Sequence, residues 1–208
     1  MGALTGTITA SSYRVTAELE DGFRDGFLKK LERHGFKEIE VSSDQEESIG
    51  WVTMQDPFST SFDLNDVFWN DYALFAMRQD TLRIPAKTLK LHFKKALAEY
   101  LEKTGKERAN PSEQEEVKDH LTKTLRRRLL PNTRVLEVIW SFSRGEVWLF
   151  SSSKKVNTLF QERFYATFGV EPIPRNAYAL LEGMNLTQEA LRDACELEPT
   201  AFAALSKS

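Results

Sequence analysis

Residues 135–151 read VLEVIWSFSRGEVWLFS and carry the strongest β-sheet pattern of the chain. β-Branched and aromatic residues dominate on both sides of a Ser-Arg-Gly turn, which predicts a β-hairpin. Residues 154–168 follow with apolar side chains at helical spacing, and Gly169 stands where a helix cap is expected. A hairpin followed at once by an amphipathic helix indicates a sheet with a helix packed on it.

The N-terminal part repeats this alternation of strands and helices. Residues 21–34 have helical spacing, and Gly35 is a predicted helix cap. Short β-rich segments predict strands, which we place at residues 5–16, 36–41, 49–52, 72–78 and 170–173.

The middle of the chain predicts two helices joined by a polar connector. Pro85 favours a helix start, so that the first helix covers residues 86–103. Ser112 and Glu115 have the spacing of a capping box, which begins a second helix over residues 113–129. Pro131 ends that helix.

The fold class that follows is α+β, with mixed or antiparallel sheets packed with helices and a projecting basic αα-hairpin. We expect four parts. They are an N-terminal α/β body (1–82), the basic helical hairpin (83–131), a second β-hairpin and helix unit of the body (132–175) and a helical tail (176–208) broken near Pro199.

Composition excludes several classes of protein. Of 208 residues, 41% are hydrophobic and 28% are charged, a balance typical of soluble globular proteins. No apolar run approaches the roughly 18 residues of a membrane span, and the first residues lack a secretory pattern. Cys195 is the single cysteine, which excludes an internal disulfide framework. We therefore expect a cytoplasmic protein without a membrane partner.

Charge is distributed unevenly along the sequence. Residues 1–80 carry 7 Lys/Arg against 15 Asp/Glu, whereas residues 81–170 carry 18 against 10. The basic middle indicates a surface that meets a polyanion such as nucleic acid. The predicted DNA-binding residues are Lys87, Lys90, Lys94, Lys95, Lys106, Arg108, Lys123, Arg126, Arg127, Arg128, Lys154 and Lys155.

Lys154 and Lys155 are the most informative of these cations. They open the predicted helix at residues 154–168, where positive charge opposes the helix dipole. Residues 151–153 are serines, whose hydroxyls and the first helical amides suit a phosphate contact. No base-reading motif accompanies the cations, so any nucleic-acid binding should show little sequence preference.

Catalytic motifs are missing from the sequence. His34, His92 and His120 have no zinc-binding spacing, and Cys195 has no histidine near it in sequence. The aspartates at positions 63, 66, 71 and 80 are the one cluster that a metal-dependent nuclease could use, but their spacing matches no known ligand pattern. We predict no catalytic residue, no metal and no cofactor.

Several short motifs follow one another along the chain. In chain order they are Gly50-Trp51-Val52, Arg83-Ile84-Pro85, Leu129-Leu130-Pro131, Ser151-Ser152-Ser153-Lys154-Lys155 and Ile173-Pro174. Their order resembles the recombination-associated RdgC family of bacterial DNA-binding proteins, and the similarity runs from about residue 8 to residue 180.

The resemblance implies a sequence-nonspecific binder of double-stranded DNA that restrains RecA-type recombination in the nucleoid. Family members form ring-shaped homodimers around a basic hole, and their exonuclease label is not an established activity. They also continue well beyond the Ile-Pro segment, so the shape of a dimer here stays open between an open clamp, a minimal variant and a different oligomer. The alternatives to this function are a protein-interaction adaptor without DNA binding and a metal-dependent nuclease.

Overall fold

A computed structural model describes residues 9–16, 22–40, 43–175, 184 and 186–196. The strands are β1 (Ser11–Arg14), β2 (Glu47–Val52), β3 (Phe68–Trp69), β4 (Tyr72–Thr81), β5 (Asn132–Ser141), β6 (Glu146–Leu149) and β7 (Ile173–Pro174). The helices are α1 (Phe23–Arg33), α2 (Leu64–Val67), α3 (Ala86–Thr104), α4 (Pro111–Arg126), α5 (Lys154–Phe168) and α6 (Gln188–Glu196).

The strands form one antiparallel sheet in the order β2-β4-β5-β6-β1-β7, with β3 paired to β4. The N-terminal strand β1 lies between β6 and β7, so both predicted parts of the body share this sheet. The long pairing of β4 with β5, which joins Tyr72 to Ser141 and Thr81 to Asn132, forms its centre. The α+β class predicted from the sequence is confirmed.

The main core lies between one face of the sheet and the helices α1 and α5. Phe75 and Trp140 point from the central strands into a cluster that includes Phe27 of α1 and Phe164 and Phe168 of α5. The rings of Phe27 and Phe168 are stacked with centroids 4.8 Å apart. Burial of each such side chain contributes about 1.5–3 kcal/mol, so this aromatic layer dominates the stability of the body.

The segment after α1 differs from the prediction. Residues 36–40 are not a strand, and Gly35 is not a left-handed cap; it forms an isolated parallel bridge with Trp51 of β2. The Phe36 N–H donates to the Trp51 carbonyl at 2.9 Å. A Cβ on Gly50 would lie 2.3 Å from the Phe36 Cα, so only glycine allows this close approach.

The start of α4 also differs from the prediction. The helix begins at Pro111, and its capping box is formed by Asn110 and Glu113 rather than by Ser112 and Glu115. The Glu113 N–H donates to Asn110 Oδ1 at 2.8 Å, and Glu113 Oε2 accepts from the Asn110 N–H at 2.9 Å. Asparagine is as good an N-cap as serine, and the proline after it takes the favoured first helical position.

The remaining elements agree with the sequence to different degrees. Helix α5 has the predicted bounds, and Gly169 caps it with φ 73°. The predicted strand at residues 170–173 is reduced to the two-residue β7. Of the predicted first strand, residues 5–8 lie outside the described residues, and β1 begins at Ser11. Of the predicted helical tail, α6 and residues 184, 186 and 187 are described, and the rest lies outside the described residues. No helix of the described ranges has the length and apolarity to cross a membrane.

Candidate nucleic-acid interface

Most of the predicted DNA-binding cations are exposed and have no ion pair with another described residue. On α3 the side chains at positions 87, 90 and 94 are exposed. Arg127 and Arg128, which follow the end of α4, are also exposed. The predicted cations that are exposed and have no ion pair within the described residues are Lys87, Lys90, Lys94, Arg108, Lys123, Arg127, Arg128, Lys154 and Lys155. Unpaired exposed lysines and arginines are suited to phosphate contacts, because no internal pair has to break first.

Two other predicted cations have acidic partners. Lys95 Nζ lies 3.9 Å from Glu99 Oε1 one turn further along α3, a loose exposed pair. Lys106 forms a close ion pair with Glu113, whose hydrogen bond raises the pKa of Lys106 and lowers the pKa of Glu113. Lys106 therefore helps to hold the connector against the start of α4, and it is a weaker candidate for DNA contact than its neighbours.

Arg126 is the one predicted DNA-binding cation that is buried. Its residue surface is only 7% exposed, and its Nη2 donates to the Gln45 carbonyl at 2.7 Å. The last turn of α4 holds this guanidinium against the body, while Arg127 and Arg128 are exposed. A buried guanidinium is a weaker candidate for contact with a duplex backbone than the exposed Arg127 and Arg128.

The start of α5 carries Lys154 and Lys155 as predicted. Both are exposed, and no acidic residue lies in the first turn. Ser153 is the N-cap residue but makes no side-chain capping bond. Its amide instead donates to Ser151 Oγ at 3.2 Å. The two lysines and the Ser153 hydroxyl thus stand together at the positive end of a helix.

The helices α3 and α4 contact each other but bury few side chains. None of the residues of α3 is buried, and Arg126 is the one buried residue of α4. A groove of about 460 Å³ between the two helices is lined by Lys90, Phe93 and Lys118 together with Glu115. The hairpin therefore offers both cations and partly exposed apolar side chains.

Two of the aspartates that a nuclease could use, Asp71 and Asp80, have partners within the protein. Asp71 accepts hydrogen bonds from Ser143 and Ser141, which hold its pKa below the usual range. Asp80 is buried in an ion pair with Arg78. In the described ranges, no group of three or more His, Cys, Asp or Glu has an arrangement that could hold a metal.

The histidines occupy two kinds of environment. His92 and His120 are exposed on α3 and α4. His34 is half-buried at the end of α1, where desolvation together with Arg163 and Arg33 lowers its pKa. A helix C-terminus on its own favours an imidazolium, but these neighbours favour the neutral ring instead.

Sequence reasoning missed a second basic region. Arg33, His34, Lys37 and Arg163 line one cleft on the far side of β2 from β4. Arg163 comes from α5, and no local spacing links it to the residues that follow α1. Only the packing of α5 against α1 could have revealed this cleft.

No protein-family model matches the chain, and no curated protein matches it in sequence.

Proposed function

We propose that this protein binds double-stranded DNA through the phosphate backbone, without sequence preference, and thereby restrains RecA-type recombination in the nucleoid. The observation that carries the proposal is the set of exposed cations on α3, after α4 and at the start of α5 that have no ion pair within the described part of the chain. Phosphate neutralisation by such side chains supplies most of the affinity in nonspecific DNA binding. The restraint of recombination rests on the family resemblance of the sequence.

The absence of sequence preference follows from the chemistry of the surface. Lysine dominates on α3 and at the start of α5, and it contacts phosphates as a point charge. Specific readout requires side chains fixed in a groove with bidentate hydrogen bonds to base edges. The unpaired cations of the described residues have no such fixing partners, so phosphates are their natural targets.

A homodimer is part of the proposal. The apolar positions Leu89, Phe93 and Leu97 of α3 are only partly buried, and Leu91 is 69% exposed. A helix with this pattern gains stability when a second apolar surface covers it. Pairing of two chains through the hairpin would also double the number of phosphate contacts along one duplex.

Duplex binding can be tested by fluorescence anisotropy with two unrelated sequences at several salt concentrations. Each phosphate that a bound cation neutralises contributes about 0.9 to the slope of log K against log salt. The variant K87Q/K90Q/K94Q should therefore reduce the slope by up to about 3 if each lysine contacts one phosphate. The matched control K29Q/K30Q/R144Q removes three exposed cations elsewhere and should keep the slope of the parent protein.

Other results would contradict the proposal. Equal reductions in the two variants would show an unspecific effect of net charge, and no binding at low salt would exclude duplex DNA as the ligand. Degradation of the duplex in the presence of Mg²⁺ would instead support a nuclease. The recombination role is tested by RecA-driven strand exchange, which the parent protein should inhibit and the lysine variant should not.

The partly exposed apolar residues of α3 also favour a second candidate function, a protein-interaction adaptor that meets an acidic partner. This candidate predicts indifference to DNA at low salt. It also predicts that L91A, at an exposed position, and K87Q/K90Q/K94Q both weaken binding of the acidic protein partner.

A further inference from the structure

A cleft of about 430 Å³ lies between the end of α1, the start of β2 and the middle of α5. Four of its lining residues, Arg33, His34, Lys37 and Arg163, are basic, and Glu47 is the one acidic residue that lines it. The cleft is separate from the hairpin cations, none of which lines it. Its volume falls within the range of about 300–1,000 Å³ that is typical of sites for small molecules.

The cations of this cleft outnumber its one lining carboxylate, that of Glu47. Among the described residues, none of Arg33, Lys37 and Arg163 forms an ion pair. Arg163 is partly buried, which lowers its pKa, and its guanidinium donates to the Ile49 carbonyl of β2. Glu47 accepts a hydrogen bond from Gln79, so its carboxylate already has a neutral partner. A partly buried guanidinium without a carboxylate is unfavourable unless an anion accompanies it.

Arg126 adds to the positive charge near this cleft. Its guanidinium is held by the carbonyl of Gln45, and Gln45 lines the cleft. The Nε of Arg126 is buried and has no hydrogen-bond partner. Two buried or partly buried guanidinium groups near one edge of the sheet therefore raise the local potential, and neither forms an ion pair within the described residues.

His34 gives the cleft a group that can respond to an anion. Desolvation and the charges of Arg163 and Arg33 lower its pKa, so the ring is neutral at neutral pH. An anion bound between the same cations reverses this effect, because it favours the protonated imidazole. The pKa of His34 should therefore rise when an anion occupies the cleft.

We propose that this cleft binds a phosphate monoester group, with Arg33, Lys37 and Arg163 in contact with its oxygens. Such a group carries close to two negative charges at neutral pH and offers three acceptor oxygens, which match several cationic donors better than a singly charged diester does. A duplex is too wide for a cleft of this volume. The ligand is therefore a small phosphorylated molecule or the terminal phosphate of a single strand. This proposal does not depend on duplex binding by the hairpin.

Inorganic phosphate is the first probe, titrated by calorimetry in a chloride-poor buffer. We expect saturable binding that R33Q/K37Q weakens by about tenfold or more, since the variant removes charge-assisted hydrogen bonds. Both residues are exposed, so the variant should fold. The control K29Q/K30Q removes the same charge from exposed positions of α1 outside the cleft and should bind phosphate like the parent protein.

Nuclear magnetic resonance of the histidine side chains gives a second readout. The pKa of His34 should rise on saturation with phosphate, whereas His92 and His120 should not respond. A nucleoside monophosphate and 5′-phosphorylated and 5′-hydroxyl oligonucleotides distinguish the two sources of the group. Binding only of the phosphorylated oligonucleotide indicates a strand end, and binding of the nucleotide alone indicates a small molecule.

Two results would overturn the proposal. One is the absence of saturable phosphate binding, and the other is an equal weakening in R33Q/K37Q and K29Q/K30Q. Duplex binding by the hairpin is measured separately by anisotropy, and phosphate in the cleft should leave it unchanged. Each experiment can therefore contradict one of the two proposals and leave the other unaffected.

Discussion

Arg78 and Asp80 form a buried ion pair on one face of β4, with Arg78 Nη2 2.7 Å from Asp80 Oδ2. Arg78 Nε also donates to Asp80 Oδ1 at 3.0 Å, so the contact is bidentate. The guanidinium lies over the rings of Phe36 and Phe58, with its central carbon 4.2 and 4.8 Å from their centroids. Nη1 donates to the Pro57 carbonyl at 3.2 Å. One arginine thus fastens two irregular segments to the central strand.

Removal of the Asp80 carboxylate should therefore lower the stability of the protein. D80N leaves the buried Arg78 guanidinium without its counter-charge, for which we expect a decrease of about 3–5 kcal/mol in the free energy of unfolding. Urea denaturation measures this decrease. The control D44N changes an exposed acid and should stay within about 0.5 kcal/mol of the parent protein. A decrease for D80N as small as that of D44N would show that the pair contributes little.

The neighbouring arginines at the end of α4 should behave differently in DNA binding. Arg127 is exposed, so R127Q should lower the slope of log K against log salt by about 0.9. Arg126 is buried, so R126M should leave that slope unchanged. Anisotropy titrations at four or more salt concentrations separate the two. A lower slope in R126M alone would mean that this guanidinium reaches the DNA after all.

The capping box of α4 can be tested by replacing its acceptor. N110A removes the acceptor for the Glu113 amide and should cost about 1 kcal/mol. S112A changes an exposed residue outside the box and should cost almost nothing. Thermal unfolding followed by circular dichroism compares them. A larger loss of stability in S112A than in N110A would instead support the capping box of Ser112 and Glu115 that the sequence suggests.

Because Tyr13 is buried, we expect the protein to become less stable in alkali. Burial raises its pKa to about 12, and its hydroxyl donates to Asn157 Oδ1. In the unfolded chain a tyrosine ionises near pH 10, so its contribution is complete below about pH 10. It is then lost as the pH rises toward 12, by roughly 1 kcal/mol for each pH unit.

Urea titrations between pH 9 and pH 12 should show this decrease in the parent protein and a shallower one in Y13F. Phenylalanine has no proton to lose, so the variant removes the titration of this site while the ring stays buried. Y165F changes an exposed tyrosine and serves as the control. The same slope in all three proteins would exclude Tyr13 as the cause.

Long periodic segments were predictable from the sequence, and short ones were not. Helices α3 and α5 and the hairpin of β5 and β6 repeat their patterns over many residues, so each residue supports the same interpretation. Residues 36–41 alternate like a strand, but the close approach at Gly50 allows only a bridge to β2. At the start of α4, Asn110 and Ser112 are two possible N-caps that stand two residues apart. The sequence pattern predicts Ser112 as the cap, whereas Asn110 caps the helix.

The candidate sites show the same limit. Charge counts located the exposed lysines of α3, because a solvated helix keeps its sequence pattern on its surface. They did not separate Arg126 from Arg127, since that difference depends on which side of α4 meets Gln45. The cleft with Arg33 and Arg163 was invisible, because its members come from helices that are far apart in the chain.

The place of β1 in the sheet has a consequence for how the chain folds during synthesis. β1 is made before the other described strands, but both of its neighbours, β6 and β7, come from residues after 145. A ribosome-bound chain therefore holds an unpaired strand until nearly all strands of the sheet have emerged, while α3 and α4 are able to form from local contacts alone. During that interval the apolar side chains of Tyr13 in β1 and of Val15 just after it are targets for chaperones and for misassociation with other nascent chains.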